Sequence, residues 1–169
     1  YTFEYISFAF SDKYSGGSFG NSNASGNYSH AEGYITSAGH YAHAEGQYTT
    51  AAGQASHAEG SYTLAKGLYS HAEGNNTIAS GDYTHAEGQY TYANGNYTHA
   101  EGQSTTANGL YSHSEGYNTK TIGNYSHAEG NYTIASGQKS HAEGEDTSAI
   151  GERSHAEGNY TKASGMCSH

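Results

Sequence analysis

The chain has no proline and no tryptophan, a single cysteine, and only six cationic residues to set against 16 carboxylates. Each shortage closes off a class of protein. One cysteine, Cys167, excludes an internal disulfide and leaves the redox compartment undecided. A net charge of -10 with histidine neutral repels phosphate backbones, which argues against nucleic acid as a partner. No stretch approaches the apolar length of a membrane span, and no basic start leads into an apolar run with a cleavage site. Large aliphatic side chains are few, and hydrophobic residues of all kinds reach only 33%. An ordinary globule of 169 residues needs far more of them to offset chain entropy.

Low hydrophobicity combined with high net charge is also the signature of disorder. A strict period argues the other way, because a disordered chain has no need to keep one. His-Ala-Glu-Gly begins at His30, His43, His57, His71, His85, His99, His127, His141 and His155, and the variant His113-Ser114-Glu115-Gly116 fills the remaining place. From His43 onward the spacing is 14 residues, and His169 falls at the next expected position. A second half-unit, Thr-x-Ala-x-Gly, lies within each repeat, as in Thr77-Ile78-Ala79-Ser80-Gly81. A short fixed period of this kind specifies a linear solenoid whose coils stabilise one another.

Glycine every seven residues argues against a helix, in which each would cost about 1 kcal/mol. There is no apolar a/d seam for a coiled coil, and glycine is not every third residue as collagen requires. The expected architecture is all-β, with two short strands per coil and a corner after each, the turns helped by glycine. Coils stacked through strand-to-strand hydrogen bonds rise about 4.8 Å each, so the ten or so clear repeats predict a rod about 50 Å long. Residues 21–169 are assigned to this solenoid. Residues 1–20, which hold Phe3, Phe8, Phe10 and Phe19, break the pattern and read as a cap, an incoming strand or the edge of a preceding segment. The six-residue step from Gly33 to Gly39 marks one deleted residue. The chain starts without methionine and stops midway through a repeat, so it reads as a window on a longer protein.

Alternation assigns the faces. Small residues fill the narrow interior: Ser56, Ala58 and Gly60 opposite Thr63, Ala65 and Gly67. Their hydroxyls are expected to find backbone or neighbouring-coil partners, since unpaired ones are costly. On the second strand the outward pairs vary freely, as in Leu64/Lys66, Ile78/Ser80, Tyr92/Asn94, Thr106/Asn108 and Lys162/Ser164, which reads as a solvent face. On the first strand the outward pair is always His/Glu. A bare carboxylate ladder would repel itself, and a histidine two residues before each glutamate supplies a donor. This face reads as a subunit interface, with a solvated His/Glu surface as the alternative. Tyrosine stands two residues after glycine at Tyr28, Tyr41, Tyr48, Tyr62, Tyr69, Tyr83, Tyr90, Tyr97, Tyr111, Tyr125, Tyr132 and Tyr160, which places aromatic ladders along the rod edges. Such ladders stack along the fibre, seal seams between subunits or hold a glycan.

The alternating Ser-x-Ala-x-Gly units resemble the head repeats of trimeric autotransporter adhesins, found also in haemagglutinin-like proteins. Forms close to Ser-His-Ala-Glu-Gly are similar to repeats of bacteriophage tail-fibre and appendage proteins. The resemblance covers about residues 21–169. It implies a left-handed parallel β-roll and a parallel homotrimer, in which the alternate set of one strand meets a threefold axis. Carried onto this chain, the axial set is His43 with Glu45, His57 with Glu59, His71 with Glu73, His85 with Glu87, His99 with Glu101, His113 with Glu115, His127 with Glu129, His141 with Glu143 and His155 with Glu157. The adhesin heads place aliphatic residues there, so the axis in this chain would be polar, which fits the phage-like form better.

The function expected is a structural fibre or adhesin-like surface module, extracellular, on a cell surface or on a virion appendage. It would extend and display a binding end toward a host receptor, glycan or matrix, with no cofactor, no confident metal site and no membrane insertion. Two other readings stand beside it. One is a metal- or pH-responsive filament assembled through the His/Glu ladder. The other is an ice- or polysaccharide-binding face on the ladder Thr49, Thr63, Thr77, Thr91, Thr105, Thr119, Thr133, Thr147 and Thr161, which the facing assignment turns inward. Catalysis finds no support, because every histidine and glutamate has the same surroundings and an active site needs one distinct pocket.

Overall fold

A computed structural model describes residues 7–10 and 21–169. Within these residues the chain is an all-β parallel solenoid with no helix. Each coil contributes one strand to each of two 11-stranded sheets. The two halves of a coil are unequal, although the sequence suggests two similar strands. The His-Ala-Glu-Gly half forms a five-residue strand, from His30–Tyr34 to His155–Asn159. The Thr-x-Ala-x-Gly half forms only two, as in Leu64–Ala65 and Ile78–Ala79. The short strand ends early because two successive amides turn onto one carbonyl: Lys66 and Gly67 both donate to Ala79 O, at 2.8 and 3.3 Å.

Pairing is parallel and in register, so like sits on like: His85 on His99, Ala86 on Ala100, Glu87 on Glu101. The one-residue deletion is absorbed at the solvent side of a short strand. Ser37 and Ala38 still pair with Thr50 and Ala51, and Gly39 N bonds Ala51 O at 2.8 Å, where other coils use the residue before glycine. Of the irregular first segment, Phe8–Phe10 forms a strand whose register sets Phe8 beside His30 and Phe10 beside Glu32. The remainder of residues 1–20, apart from Ser7, lies outside the described residues.

The corners after the long strands use glycine as expected, with positive φ at ten positions from Gly33 to Gly158, and every corner adds a non-glycine residue of positive φ. The residue in the left-handed region is the one two places after glycine, at 21 positions, of which twelve are the tyrosines named above. Its amide reaches back to the preceding coil, as in Tyr62 N to Gln47 O at 2.9 Å and Tyr69 N to Gln54 O at 3.0 Å. Glycine is needed for contact as well as for conformation. At Gly88, with φ +112°, an added Cβ would sit 2.0 Å from Gly102 O. At Gly67 it would sit 1.8 Å from Gly81 O.

The interior is lined by alanines, with Ala58, Ala65, Ala72 and Ala79 fully buried, and by buried serines and threonines. Gly60 is only half-buried, because its strand continues past it to Ser61. The hydroxyls divide into two groups. Those preceding histidine donate three residues back to a corner carbonyl, as in Ser56 to Gly53 O, Ser70 to Gly67 O and Thr84 to Gly81 O, each at 2.7 Å. Those of Thr49, Thr63, Thr77, Thr91, Thr105, Thr133 and Thr147 are buried with no partner, against the expectation that all would find one. Thr119 is the exception. Ser114 replaces alanine in that coil, and the two hydroxyls bond at 2.8 Å, while Thr121, also in place of alanine, donates to Ser112 Oγ at 2.9 Å.

Two predictions follow from contact and satisfaction. Gly88→Ala is expected to cost about 3 kcal/mol or more, against a few tenths for the outward Ser80→Ala, as read from thermal melts by circular dichroism. Thr77→Val, which removes an unpaired buried hydroxyl at constant shape, should stabilise by about 1 kcal/mol, whereas Thr119→Val should destabilise by about as much; urea melts of the two variants give the signs.

Candidate functional site: the histidine–glutamate face

The long strands place their odd residues outward and their alanines inward, so the sheet presents one histidine and one glutamate per coil. From His43 to His155 the imidazole rings stack 4.7–4.9 Å apart, with interplanar angles of 13° or less. At the C-terminal end His169 meets His155 edge-on. From His43 to His127 each ring turns Nε2 toward its own glutamate, at 3.8 Å for His43 and Glu45, 3.7 Å for His113 and Glu115, and 4.0 Å for His127 and Glu129. Those distances are too long for hydrogen bonds, except for His30 and Glu32 at 3.3 Å, and they become ionic contacts only when a ring is protonated.

The side chains are only partly covered, about 37% exposed for His71, His85 and His99. Their Nε2 atoms are nevertheless enclosed. Burial holds the imidazoles of His43, His57, His85, His113 and His141 below the ordinary histidine range, and the stacked neighbouring rings push the same way. The nearby glutamates oppose this and do not overcome it. At these five positions the neutral ring is favoured, since burial and the stacked neighbours both resist a proton there. Imidazole nitrogens and carboxylate oxygens do come within 4.8 Å of one another in sets such as His113, Glu115 and His127. Successive sets share a histidine, and the proximity is that of the stack itself, so it marks out no distinct centre.

The corner before each long strand carries a second ladder. Tyr69, Tyr83, Tyr97, Tyr111 and Tyr125 stack with centroids 4.8–5.2 Å apart. Ala55 interrupts it on one side, and Lys139, Arg153 and Cys167 occupy the same backbone position on the other. The opposite corner is less regular: Tyr48 and Tyr62 stack at 4.8 Å, but Asn76, Ser104, Asn118 and Asp146 stand between the remaining tyrosines Tyr90, Tyr132 and Tyr160. Between the first tyrosine ladder and the histidine ladder runs an open groove of about 660 Å³, lined by Tyr69, Tyr83, Tyr97 and Tyr111 on one side and His71, His85, His99 and His113 on the other. Sequence reading missed this groove. The signal was present in triplets such as Tyr83-Thr84-His85, where a buried residue between an exposed and a half-buried one turns both rings to the same side. The threonine ladder, by contrast, is buried as far as Thr147, so its hydroxyls offer no surface to ice or polysaccharide.

A profile of the YadA head domain repeat matches residues 44–70, 86–112, 122–140 and 142–165, together more than half of the chain. The chain belongs to the YadA head repeat family. It is thus an adhesin-like module of a surface fibre, built on a structural rather than a catalytic repeat, as the resemblance to trimeric autotransporter adhesins implied. YadA-type adhesins are exposed at the cell surface. No individually curated protein matches the chain. Among the described residues no helix is long and apolar enough to cross a membrane.

The depressed histidines set a pH dependence. A group that binds its proton less well when folded leaves stability intact above its unfolded pKa of about 6.5 and erodes it as pH falls below that value. The melting temperature is expected to be flat above pH 7.5 and to drop between pH 6.5 and 5. An unchanged melt across that interval would show that the ladder titrates as it does in the unfolded chain.

Proposed function

We propose that three copies of this YadA-type head solenoid associate in parallel, with their long-strand sheets facing a common axis, and that the resulting rod carries and displays a binding end in attachment to a host surface. The observation that carries this reading is the contrast between the two outer faces. The short-strand sheet changes its outward residues from coil to coil, as solvent permits. The long-strand sheet repeats His and Glu in every coil without drift, although its side chains stay about 37–50% exposed in the single chain.

A face under one repeated requirement is a packing face. In a threefold bundle the axial set is His43/Glu45 through His155/Glu157, and each enclosed Nε2 sits close enough to a carboxylate for a small closure to make a charge-assisted bond. The tyrosine–histidine groove is placed to receive the neighbouring subunit's edge. Family membership supports both the trimer and the surface setting, and the extended, loop-poor coil suits a spacer that must resist proteolysis. The setting is a bacterial cell surface or a virion appendage, and the partner a receptor, glycan or matrix component.

Native mass spectrometry of the protein tests the assembly. A trimer is the expected species, and a monomer at micromolar concentration would overturn the axial assignment. Attachment has its own readout. Beads coated with the protein should be retained on extracellular-matrix proteins or on a glycan array, and retention no better than that of bare beads would reduce the module to a spacer.

A further inference from the structure

The charges at the rod's corners are not spread evenly. The corner residues are the two that follow each glycine, and from Asn27 onward only six of them are charged: Asp82, Lys139, Glu145, Asp146, Glu152 and Arg153. Five of the six fall within residues 139–153. They are also sorted by edge. Lys139 and Arg153 take the left-handed position at the corner that precedes a long strand, the place held by tyrosine in the coils above. Glu145 and Asp146 lie at the corner that follows one. Arg153 has an intrachain partner in Glu152, at 3.3 Å. Among the described residues Lys139 and Asp146 have no ion pair, and all four are exposed.

We infer that this segment is a charge collar in which Lys139 and Arg153 of one subunit engage Glu145 and Asp146 of the next copy of the same chain. The inference rests on the threefold reading above and adds its register-setting contact. The geometry follows from symmetry. Three parallel long strands around an axis form the sides of a triangle, so at each vertex the start of one strand meets the end of its neighbour's. Lys139 stands two residues before the strand His141–Glu145, and Glu145 with Asp146 close that same strand. The two charges therefore lie in one layer and meet at a vertex. Arg153 stands two residues before His155–Asn159, one layer further on, within reach of the same carboxylates.

The collar answers a need that the uniform ladder creates. A His/Glu axis repeated every 14 residues is matched equally well when one chain slips by a whole coil. Charges confined to adjacent layers are matched in one register only, which is how charged residues specify alignment in other repetitive assemblies.

Paired charge reversals test it, and the backbone accepts them because Lys, Arg and Asp already occupy these left-handed corners. Lys139→Glu with Arg153→Glu, or Glu145→Lys with Asp146→Lys, should each raise the trimer's dissociation midpoint on the order of tenfold at low salt. All four changes in one chain should restore it. An equimolar mixture of the two double variants should give mixed trimers above the random proportion by native mass spectrometry. Lys120→Glu with Lys162→Glu, both exposed on the short-strand sheet, serves as the control of equal charge change. Circular dichroism confirms that each variant keeps its coil. A trimeric parent whose double variants dissociate like the control overturns the collar alone, whereas a monomeric parent overturns the threefold reading and the collar with it.

Discussion

Every coil lies directly on the next, in full register, at a separation of about 4.8 Å. That constraint governs the rest of the molecule. A residue at any position must tolerate its own copy immediately above and below, so the usable residues are those compatible with themselves. Alanine on alanine fills the interior, and glycine recurs wherever two backbones meet with no room for a methyl group, as between Gly88 and Gly102. Imidazole on imidazole is acceptable while the rings are neutral, and burial holds five of them toward that state. Glutamate on glutamate is the one pairing that resists stacking. The partial exposure of the row to water is what makes it tolerable, since the neighbouring histidines from His43 onward stand too far off to donate.

The corners illustrate the same trade in conformational terms. A non-glycine residue in the left-handed region is disfavoured by about 1 kcal/mol or more, and tyrosine has no short side chain to bond its own backbone as asparagine does. The conformation persists because it aims the corner amide at the preceding coil's carbonyl, and because it lines the rings up at stacking distance. Replication along the rod turns a local cost into a collective gain, since each interior ring of the unbroken ladder has two ring neighbours. Where the run of tyrosine stops, at Ala55 and again at Lys139, the left-handed φ is retained. The backbone path is therefore set by the coil, and stacking is added to it.

The sequence made the coil legible because periodicity survives any choice of side chain. A 14-residue spacing, glycine at every seventh place and small residues alternating with polar ones fix a parallel solenoid and assign inside and outside before any coordinates exist. It was silent where the outcome depends on hydrogen-bond geometry within one coil. Nothing in Thr-Leu-Ala-Lys-Gly announces that Lys66 and Gly67 will share one carbonyl and shorten that strand to Leu64–Ala65. Nor does composition reveal that the serine before histidine finds Gly53 O while Thr63, across the same narrow interior, finds nothing. The tyrosine–histidine groove was hidden for a different reason. It is a relation between an edge and a face, and the edges were read separately from the faces.

Departures from the repeat are informative because the repeat is so uniform. Ser114 and Thr121 both replace alanine in a single coil: Ser114 gives Thr119 the partner that the equivalent threonines lack, and Thr121 satisfies its own hydroxyl on Ser112 Oγ. The missing residue near Gly39 falls on the outward side of a short strand, and the pairing registers of both sheets pass across it unchanged. The strand Phe8–Phe10 pairs in parallel with His30–Glu32, so the backbone ladder continues into the irregular first segment although the His-Ala-Glu-Gly motif does not. Uniformity sets the coil, and the few positions that break it show how much departure one coil accepts while its pairing is kept.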